Sequence, residues 1–194
     1  MYKKALAGAI VAVALAPLAA TPAAAAGGAA AAETVTVVKA STEFVLEGRN
    51  VQFTCPTNQV MTSRGHHGDE NGLTRYACSR VLVNGQEVQV SMGGWDQGKK
   101  ESASTFVAPE NQVVVGRWHE GDENGTTRYR TAALYWQGKQ MRIISPMWSQ
   151  LYDENDHDWY AWAEGDNKVM TGRAHRGDEN GATNYHYSTV VLGS

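Results

Sequence analysis

The chain has 194 residues, of which 42% are hydrophobic, and a formal net charge of −3. This length is sufficient for one domain with a sizeable core. The acidic balance makes nucleic acid an unfavourable partner, because a phosphate backbone is bound through clustered Lys and Arg.

The first 32 residues have the layout of a secretory signal peptide. Lys3 and Lys4 form a basic start, an Ala-rich apolar run follows, and small residues continue through Ala32. The apolar run is too short and too rich in Ala for a membrane-spanning helix. We therefore predict cleavage after about residues 26–32, a secreted protein and a single domain over residues 33–194. Removal of the two lysines changes the formal charge from −3 to −5.

Three copies of one motif follow, and each contains the acidic turn GDENG. The copies are CPTNQVMTSRGHHGDENGLTRYACSRVLV (55–83), APENQVVVGRWHEGDENGTTRYRTAALYW (108–136) and EGDNKVMTGRAHRGDENGATNYHYSTVVL (164–192). Four further positions, with Arg, His, Thr or Tyr, are among those that are identical in every copy. They hold Arg64, Arg117 and Arg173; His66, His119 and His175; Thr74, Thr127 and Thr183; and Tyr76, Tyr129 and Tyr185. This recurrence predicts three structural units of nearly equal length.

Each copy is predicted to form a β-hairpin. In the third copy, alternate residues from Val169 through Arg173 to His175 share one face of a strand, and alternate residues from Thr183 to Thr189 share a face of the return strand. Asp and Asn suit the turn between them. We expect the second glycine of GDENG to have the positive φ that closes a longer hairpin loop.

The segments between the copies predict the remaining strands. QEVQVSM and KQMRIISPM follow the first two copies, and ETVTVVKA at residues 33–40 supplies the equivalent that the third copy lacks. A short strand, VQFTC, STFVA or WYAWA, precedes each copy. We predict an all-β, pseudo-threefold domain of about twelve strands, in which the N-terminal strand completes the last unit and closes the domain. A β-prism is the first choice; a β-trefoil and a three-bladed propeller-like arrangement are the alternatives.

Cys55 and Cys78 are the two cysteines of the chain. An even pair in an exported protein predicts a disulfide. Such a bridge contributes about 3 kcal/mol in the chain-entropy description.

The polar residues of the motif are the candidate ligand-binding residues. Sugars require donors, acceptors and ring faces together, and three shallow sites would raise avidity for a repeating glycan. Trp118 stands where the other copies have Gly65 and Ala174, so it would add a ring to the second site alone. The candidates are Arg64, His66, Asp69, Glu70, Asn71 and Tyr76; Arg117, Trp118, His119, Asp122, Glu123, Asn124 and Tyr129; and Arg173, His175, Asp178, Glu179, Asn180 and Tyr185.

A structural role for the same residues is the alternative. Arg64 would then pair with Asp69 or Glu70 across its own hairpin, and Tyr76 and its equivalents would be core rings with bonded hydroxyl groups. Because a folded repeat must repeat its structural residues, recurrence by itself does not separate the two roles.

An acidic stretch, YDENDHDWYAW at residues 152–162, is the candidate metal site. Carboxylate oxygens suit calcium, and the alternative is a solvated acidic loop. The predicted ligands are Asp153, Glu154, Asp156 and Asp158. A tetrahedral zinc site is not predicted, because the motif carries a single recurring His and no cysteine at ligand spacing.

The first copy resembles a dermatopontin-type repeat. It shares a Cys followed by Pro, a strand, a His-containing acidic loop, an aromatic position and a closing Cys. It differs because only this copy has both cysteines, and because Asp-Glu-Asn-Gly and Tyr76 replace an Asp-Arg-x-Trp core. The resemblance implies an extracellular, matrix-like or lectin-like adhesive protein.

These observations predict a secreted, non-catalytic protein that binds an extracellular or cell-surface glycan. A catalytic site normally occurs once and uses unlike residues, and no G-x-S-x-G nucleophile motif is present. A glycosidase is the catalytic alternative. The remaining alternative is a secreted protein-interaction module, such as an inhibitor or a subunit of an extracellular toxin or adhesion assembly.

Overall fold

The computed structural model describes residues 32–47, 50–68, 72–122, 124–153, 161–162, 167–178 and 181–193. Within these ranges the secondary structure is β-strand with no α-helix, which confirms the all-β prediction. The strands are β1 (Val35–Leu46), β2 (Gln52–Thr54), β3 (Gln59–His67), β4 (Leu73–Val83), β5 (Gln86–Glu87), β6 (Gln89–Trp95), β7 (Lys99–Lys100), β8 (Ala103–Val107), β9 (Gln112–Glu120), β10 (Thr126–Trp136), β11 (Lys139–Gln140), β12 (Arg142–Trp148), β13 (Tyr152–Asp153), β14 (Ala161–Trp162), β15 (Lys168–Arg176) and β16 (Ala182–Val191).

The three motif copies form three antiparallel hairpins, as predicted. β3 pairs with β4, β9 with β10 and β15 with β16. Each hairpin is the centre of its own sheet, and the orders are β1-β4-β3-β14, β11-β10-β9-β2 and β12-β16-β15-β8. In the second sheet β6 and β7 also pair with β10, and in the third β13 pairs with β16. One short strand lies beside the first strand of every hairpin.

The N-terminal strand completes the first sheet, so its predicted place in the last unit is wrong. β1 pairs with β4 from Val35 opposite Val83 to Leu46 opposite Leu73. The tail after each hairpin crosses to the next one, because β6 pairs with β10 and β12 with β16. In the described part of the chain, no preceding hairpin supplies such a tail to β4, the return strand of the first hairpin, and β1 pairs with it instead. The strand pairing that joins the segment before the third hairpin to the first hairpin is made by β14, whose Ala161 lies opposite Arg64 of β3.

A β-bulge interrupts all three hairpins at corresponding positions. In the first hairpin the register shifts between Met61 and Ser63 of β3, and in the third between Met170 and Gly172 of β15. In the second hairpin the shift falls between the positions opposite Arg130 and Thr131 of β10. Such a bulge adds one residue and reverses the alternation beyond it. Met170 lies opposite Tyr187 and Arg173 opposite Tyr185, so these residues share a face. The expectation that Val169 shares the face of Arg173 is therefore wrong.

Two clusters of buried residues form the core. One is rich in aromatic rings, and in it Phe53 stacks on Tyr76 at 4.2 Å and Phe106 on Tyr129 at 4.5 Å. The other consists mainly of valines from the three hairpins. The predicted disulfide between Cys55 and Cys78 is confirmed, and it lies in the aromatic cluster. Residues 33–194 form one compact unit.

The described part of the chain contains no apolar helix of the length required to cross a bilayer.

Candidate functional site

The three motif arginines lie inside the protein in a cluster that we call the arginine centre: Arg64, Arg117, Arg173, Glu47 and Glu101. All five residues are 5% exposed or less. Arg64 Nη2 lies 3.1 Å from Glu47 Oε2, and Arg117 pairs with the same oxygen. Glu101 Oε1 lies 3.0 Å from Arg117 Nη2 and 2.6 Å from Arg173 Nη1. The carboxylates therefore bridge arginines that belong to different hairpins.

The motif tyrosines extend this hydrogen-bond network. Arg64 Nη1 donates to the hydroxyl oxygen of Tyr185 at 3.0 Å, and Tyr76 donates its hydroxyl proton to Glu47 Oε1. Arg173 Nη1 lies 3.5 Å from the Tyr129 hydroxyl oxygen. The three rings are at most 2% exposed. They are core rings with bonded hydroxyl groups, as the structural alternative predicts, although the arginine partners come from elsewhere than the acidic turn.

Mutual electrostatics keep the arginine centre ionised despite its burial. Burial by itself would raise the pKa of Glu47, but Arg117 and Arg64 hold this pKa well below its usual value. Burial would likewise lower the pKa of Arg117, whereas Glu47 and Glu101 raise it well above its usual value. The pKa of Tyr76 is raised by burial and by the Glu47 charge. The centre is therefore a fixed set of charges, in which each ion depends on its partners.

The motif histidines and threonines lie beneath the acidic turns. His119 Nε2 donates to the carbonyl of Gly121 at 3.1 Å, and His175 Nε2 donates to that of Gly177 at 3.2 Å. In the first copy, His66 Nδ1 lies 2.7 Å from the hydroxyl of Thr74. The three histidines are 5% exposed or less, and the three threonines are fully buried. Burial and the neighbouring Arg117 lower the pKa of His119 to about 4, so it is neutral at pH 7.

The geometry of the GDENG turn requires glycine at both ends, but for reasons other than the predicted one. The first has the positive φ, which is +89° at Gly121 and +111° at Gly177. The second is needed for space: a Cβ at Gly125 would lie 1.9 Å from the carbonyl oxygen of Glu120. The expectation that the second glycine has the positive φ is therefore wrong. Because the backbone crosses itself so closely, only a residue without Cβ fits the position.

The tips of the turns lie partly outside the described residues. Asp122, Asn124 and Asp178 are described and exposed. Asp122 Oδ1 accepts a hydrogen bond from the Asn124 backbone N–H at 3.0 Å, which stabilises the turn. The candidates outside the described residues are Asp69, Glu70, Asn71, Glu123, Glu179 and Asn180.

Of the predicted calcium ligands, only Asp153 is described, and it is exposed. Glu154, Asp156 and Asp158 lie outside the described residues. Among the residues that the structure does describe, no group of three or more His, Cys, Asp or Glu side chains is placed to hold a metal ion. Calcium binding by the acidic stretch stays a prediction.

Trp118 is half-buried on the outer side of the second sheet. Its ring meets Trp95 edge-on at 6.0 Å, and the Arg128 guanidinium lies 4.3 Å from its centroid. The indole N–H donates to Asn50 Oδ1. Trp118 is therefore part of a surface cluster of Trp95, Arg128 and Asn50 that the repeat comparison did not reveal.

A groove that we call the β12 groove opens beside the last strands of the third sheet. It has a volume of about 290 Å³ and is lined by Met147, Trp148, Ser149, Gln150, Tyr152, Lys168 and Tyr187. Trp148 is 39% exposed, and its ring packs at 4.8 Å against His186. Sequence reasoning did not select these residues, because it looked for side chains that recur. The available signal was a difference between copies: Lys168 aligns with Gln59 and Gln112.

Comparison of the chain with protein-family models, with curated proteins and with solved structures gave no match.

Proposed function

We propose that the protein is a secreted, non-catalytic carbohydrate-binding protein, and that the β12 groove is its principal sugar-binding site. The observation that supports this most directly is the composition of the groove. An indole, two phenols, an amide, a hydroxyl and an ammonium group line one half-open depression. Sugars present hydroxyl groups that donate and accept, together with C–H faces that pack on aromatic rings.

The position of Trp148 supports stacking on a sugar ring. The indole leans against His186, whose Nδ1 lies 2.8 Å from the hydroxyl of Thr171. Thr171 Oγ1 in turn lies 2.9 Å from Ser188 Oγ. Burial lowers the pKa of His186, so this support is neutral at pH 7. A ring held in place before binding loses little conformational entropy when the ligand arrives.

The motif arginines, histidines and tyrosines support binding indirectly in this proposal. Their side chains are buried and bonded within the protein. In this proposal the glycan is therefore contacted directly by the groove residues and by the exposed turn tips, such as Asp122 and Asp178. Several such contact points on one domain would raise avidity for a repeating glycan without one tight site.

A glycan-binding profile of the mature protein tests the proposal. Trp148→Ala should weaken binding about tenfold, since it removes the stacking face. Trp136→Ala is the matched control: Trp136 donates to Glu33 and does not line the groove. Both variants should retain the wild-type far-ultraviolet circular dichroism. The same profile recorded in EDTA tests whether calcium at the acidic stretch contributes to glycan binding, because removal of the calcium by EDTA would then reduce binding.

Three results would contradict the proposal. Absence of binding to every glycan would remove the carbohydrate function. Binding that Trp148→Ala leaves unchanged would place the site elsewhere. Release of reducing sugar from a bound glycan would replace a non-catalytic binder with a glycosidase.

A protein-interaction module is the second candidate, favoured by an apolar patch at the edge of the first sheet. Phe44 is 61% exposed, Leu46 43% and Leu73 41%. Phe44 and Leu46 lie on the same face of β1, and Leu73 is the cross-strand partner of Leu46. A protein partner that binds here should be lost in Phe44→Ser and should not be displaced by free sugars.

A further inference from the structure

We infer that the β12 groove selects acidic sugars, and that Lys168 binds their carboxylate. This inference rests on the proposed carbohydrate function and goes beyond it by naming the ligand class and the residue that determines specificity. Three differences lead to it: one separates the third repeat from both other copies, and two separate the third sheet from the second.

The first difference is at the position of Lys168. The other copies have glutamines there, and both glutamines bond within the protein. Gln59 Oε1 accepts from Ser41 Oγ at 2.8 Å, and Gln112 Oε1 accepts from Thr131 Oγ1 at 2.5 Å. Lys168 instead lines the groove, and its Nζ lies 2.9 Å from the sulfur of Met147. A thioether is a weak acceptor, so the ammonium group keeps most of its capacity for a ligand oxygen.

The second difference removes a negative charge from the same place. In the second sheet, Asp96 Oδ1 accepts the backbone N–H of Tyr129 at 2.9 Å, and its other oxygen pairs with Lys99 at 2.8 Å. In the third sheet, Ser149 Oγ accepts the backbone N–H of Tyr185 at 3.0 Å. Serine therefore fulfils the structural role of the aspartate without its charge. An anion that Asp96 would repel can approach Ser149.

The residue aligned with Lys99 is changed as well. In the third sheet Tyr152 occupies this position and lines the groove. A phenol therefore stands where the second sheet has a lysine that pairs with Asp96. Asp153 is adjacent in the chain, but alternation along β13 directs it away from Tyr152. Within the described residues, Lys168 is the only charged side chain that lines the groove, and no carboxylate pairs with it. The described lining of the groove thus carries one positive charge and no negative charge, on a protein of net negative charge.

A hexuronic acid matches this arrangement. Its carboxylate would accept hydrogen bonds from the Lys168 ammonium, and its ring would pack on Trp148. Its hydroxyl groups would bond with Gln150 and Ser149. A neutral hexose could make the last two kinds of contact but not the first, which defines the discrimination.

Calorimetric titration with methyl β-glucuronide and methyl β-glucoside tests the inference, because the probes differ only in the carboxylate. The wild-type protein should bind the glucuronide about fivefold more tightly, as expected for a partly exposed ion pair. Raising the NaCl concentration from roughly 20 to roughly 500 mM should remove most of this preference, because salt over this range screens the attraction between the exposed ammonium group and the carboxylate.

Three variants separate charge from shape. Lys168→Gln introduces the residue of the other copies, so the fold should be retained and the two probes should bind equally. Lys168→Arg should restore the preference. Trp148→Ala should weaken both probes by the same factor.

Each outcome has a distinct meaning. Equal binding of the two probes by the wild-type protein overturns the inference and leaves the carbohydrate function intact. A preference that persists in Lys168→Gln also overturns it. Failure of both probes, together with every glycan on the array, contradicts the proposed function itself.

Discussion

The arginine centre and the β12 groove differ in what the repeat preserves. The Arg, His, Thr and Tyr residues common to all three copies are buried, and the arginines join the hairpins through ion pairs and hydrogen bonds. Three of the residues that line the groove, Lys168, Ser149 and Tyr152, differ from those at the aligned positions, whereas Trp148 and Gln150 repeat Trp95 and Gln97. The recurring Arg, His, Thr and Tyr residues therefore meet the requirements of folding, and the departures at the three groove positions change the surface that a ligand can reach.

The largest expected effect comes from breaking the arginine centre. Glu47→Gln removes the carboxylate that pairs with Arg64 and Arg117 and leaves two buried cations without it. We expect the free energy of unfolding to fall by about 3–5 kcal/mol. Urea denaturation of this variant should be compared with Glu110→Gln, since Glu110 is exposed. A fall of less than about 1 kcal/mol would show that the centre contributes no more than a surface pair.

Acid should weaken the same region through His119. Its pKa is about 4 in the folded protein and 6.5 as the ordinary value, so between these pH values the unfolded chain binds the proton and the folded protein does not. Stability should thus fall as the pH decreases from 6.5 to 4, by an amount on the order of 3 kcal/mol. Glu47 adds a loss in the same direction below its ordinary pKa of 4.5.

Denaturation at pH 7.5, 5.5 and 4.5 measures this dependence. His119→Gln should be less stable than wild type at pH 7.5 but should lose less between 6.5 and 4. An equally steep slope in the variant would assign the acid sensitivity to other groups.

A smaller effect is expected from the second glycine of the turns. A Cβ at Gly181 would lie 2.4 Å from the Arg176 carbonyl oxygen, whereas a Cβ at Gly94 would meet nothing within 4 Å. Gly181→Ala should therefore cost about 1–3 kcal/mol, because the turn must shift, and Gly94→Ala should be close to neutral. Thermal unfolding of the two variants gives the comparison. Equal midpoints would mean that the turn adjusts freely.

Sequence reasoning succeeded where the pattern is local. The alternating pattern on both sides of an acidic turn predicted the hairpins, and two cysteines in a chain with a predicted signal peptide predicted their bridge. It failed at the bulge after Met170. One additional residue moves all the following side chains to the opposite face of the strand, and the residue types of the segment give no sign of it. A usable signal for the arginine centre did exist: Glu47 lies 17 residues before Arg64, and Glu101 lies 16 residues before Arg117.

The sequence by itself determined the β-hairpins, their threefold recurrence and the disulfide, because each depends on residue types at short spacing. Only the tertiary structure decided which hairpin receives each connecting strand and which way the motif side chains point. An arginine on an alternating strand has the same pattern whether it faces water or a carboxylate. In this protein Arg173 faces Glu101, which is 72 residues away in the chain. Burial stabilises that pair only after strands from different repeats have come together, since each buried charge requires the other.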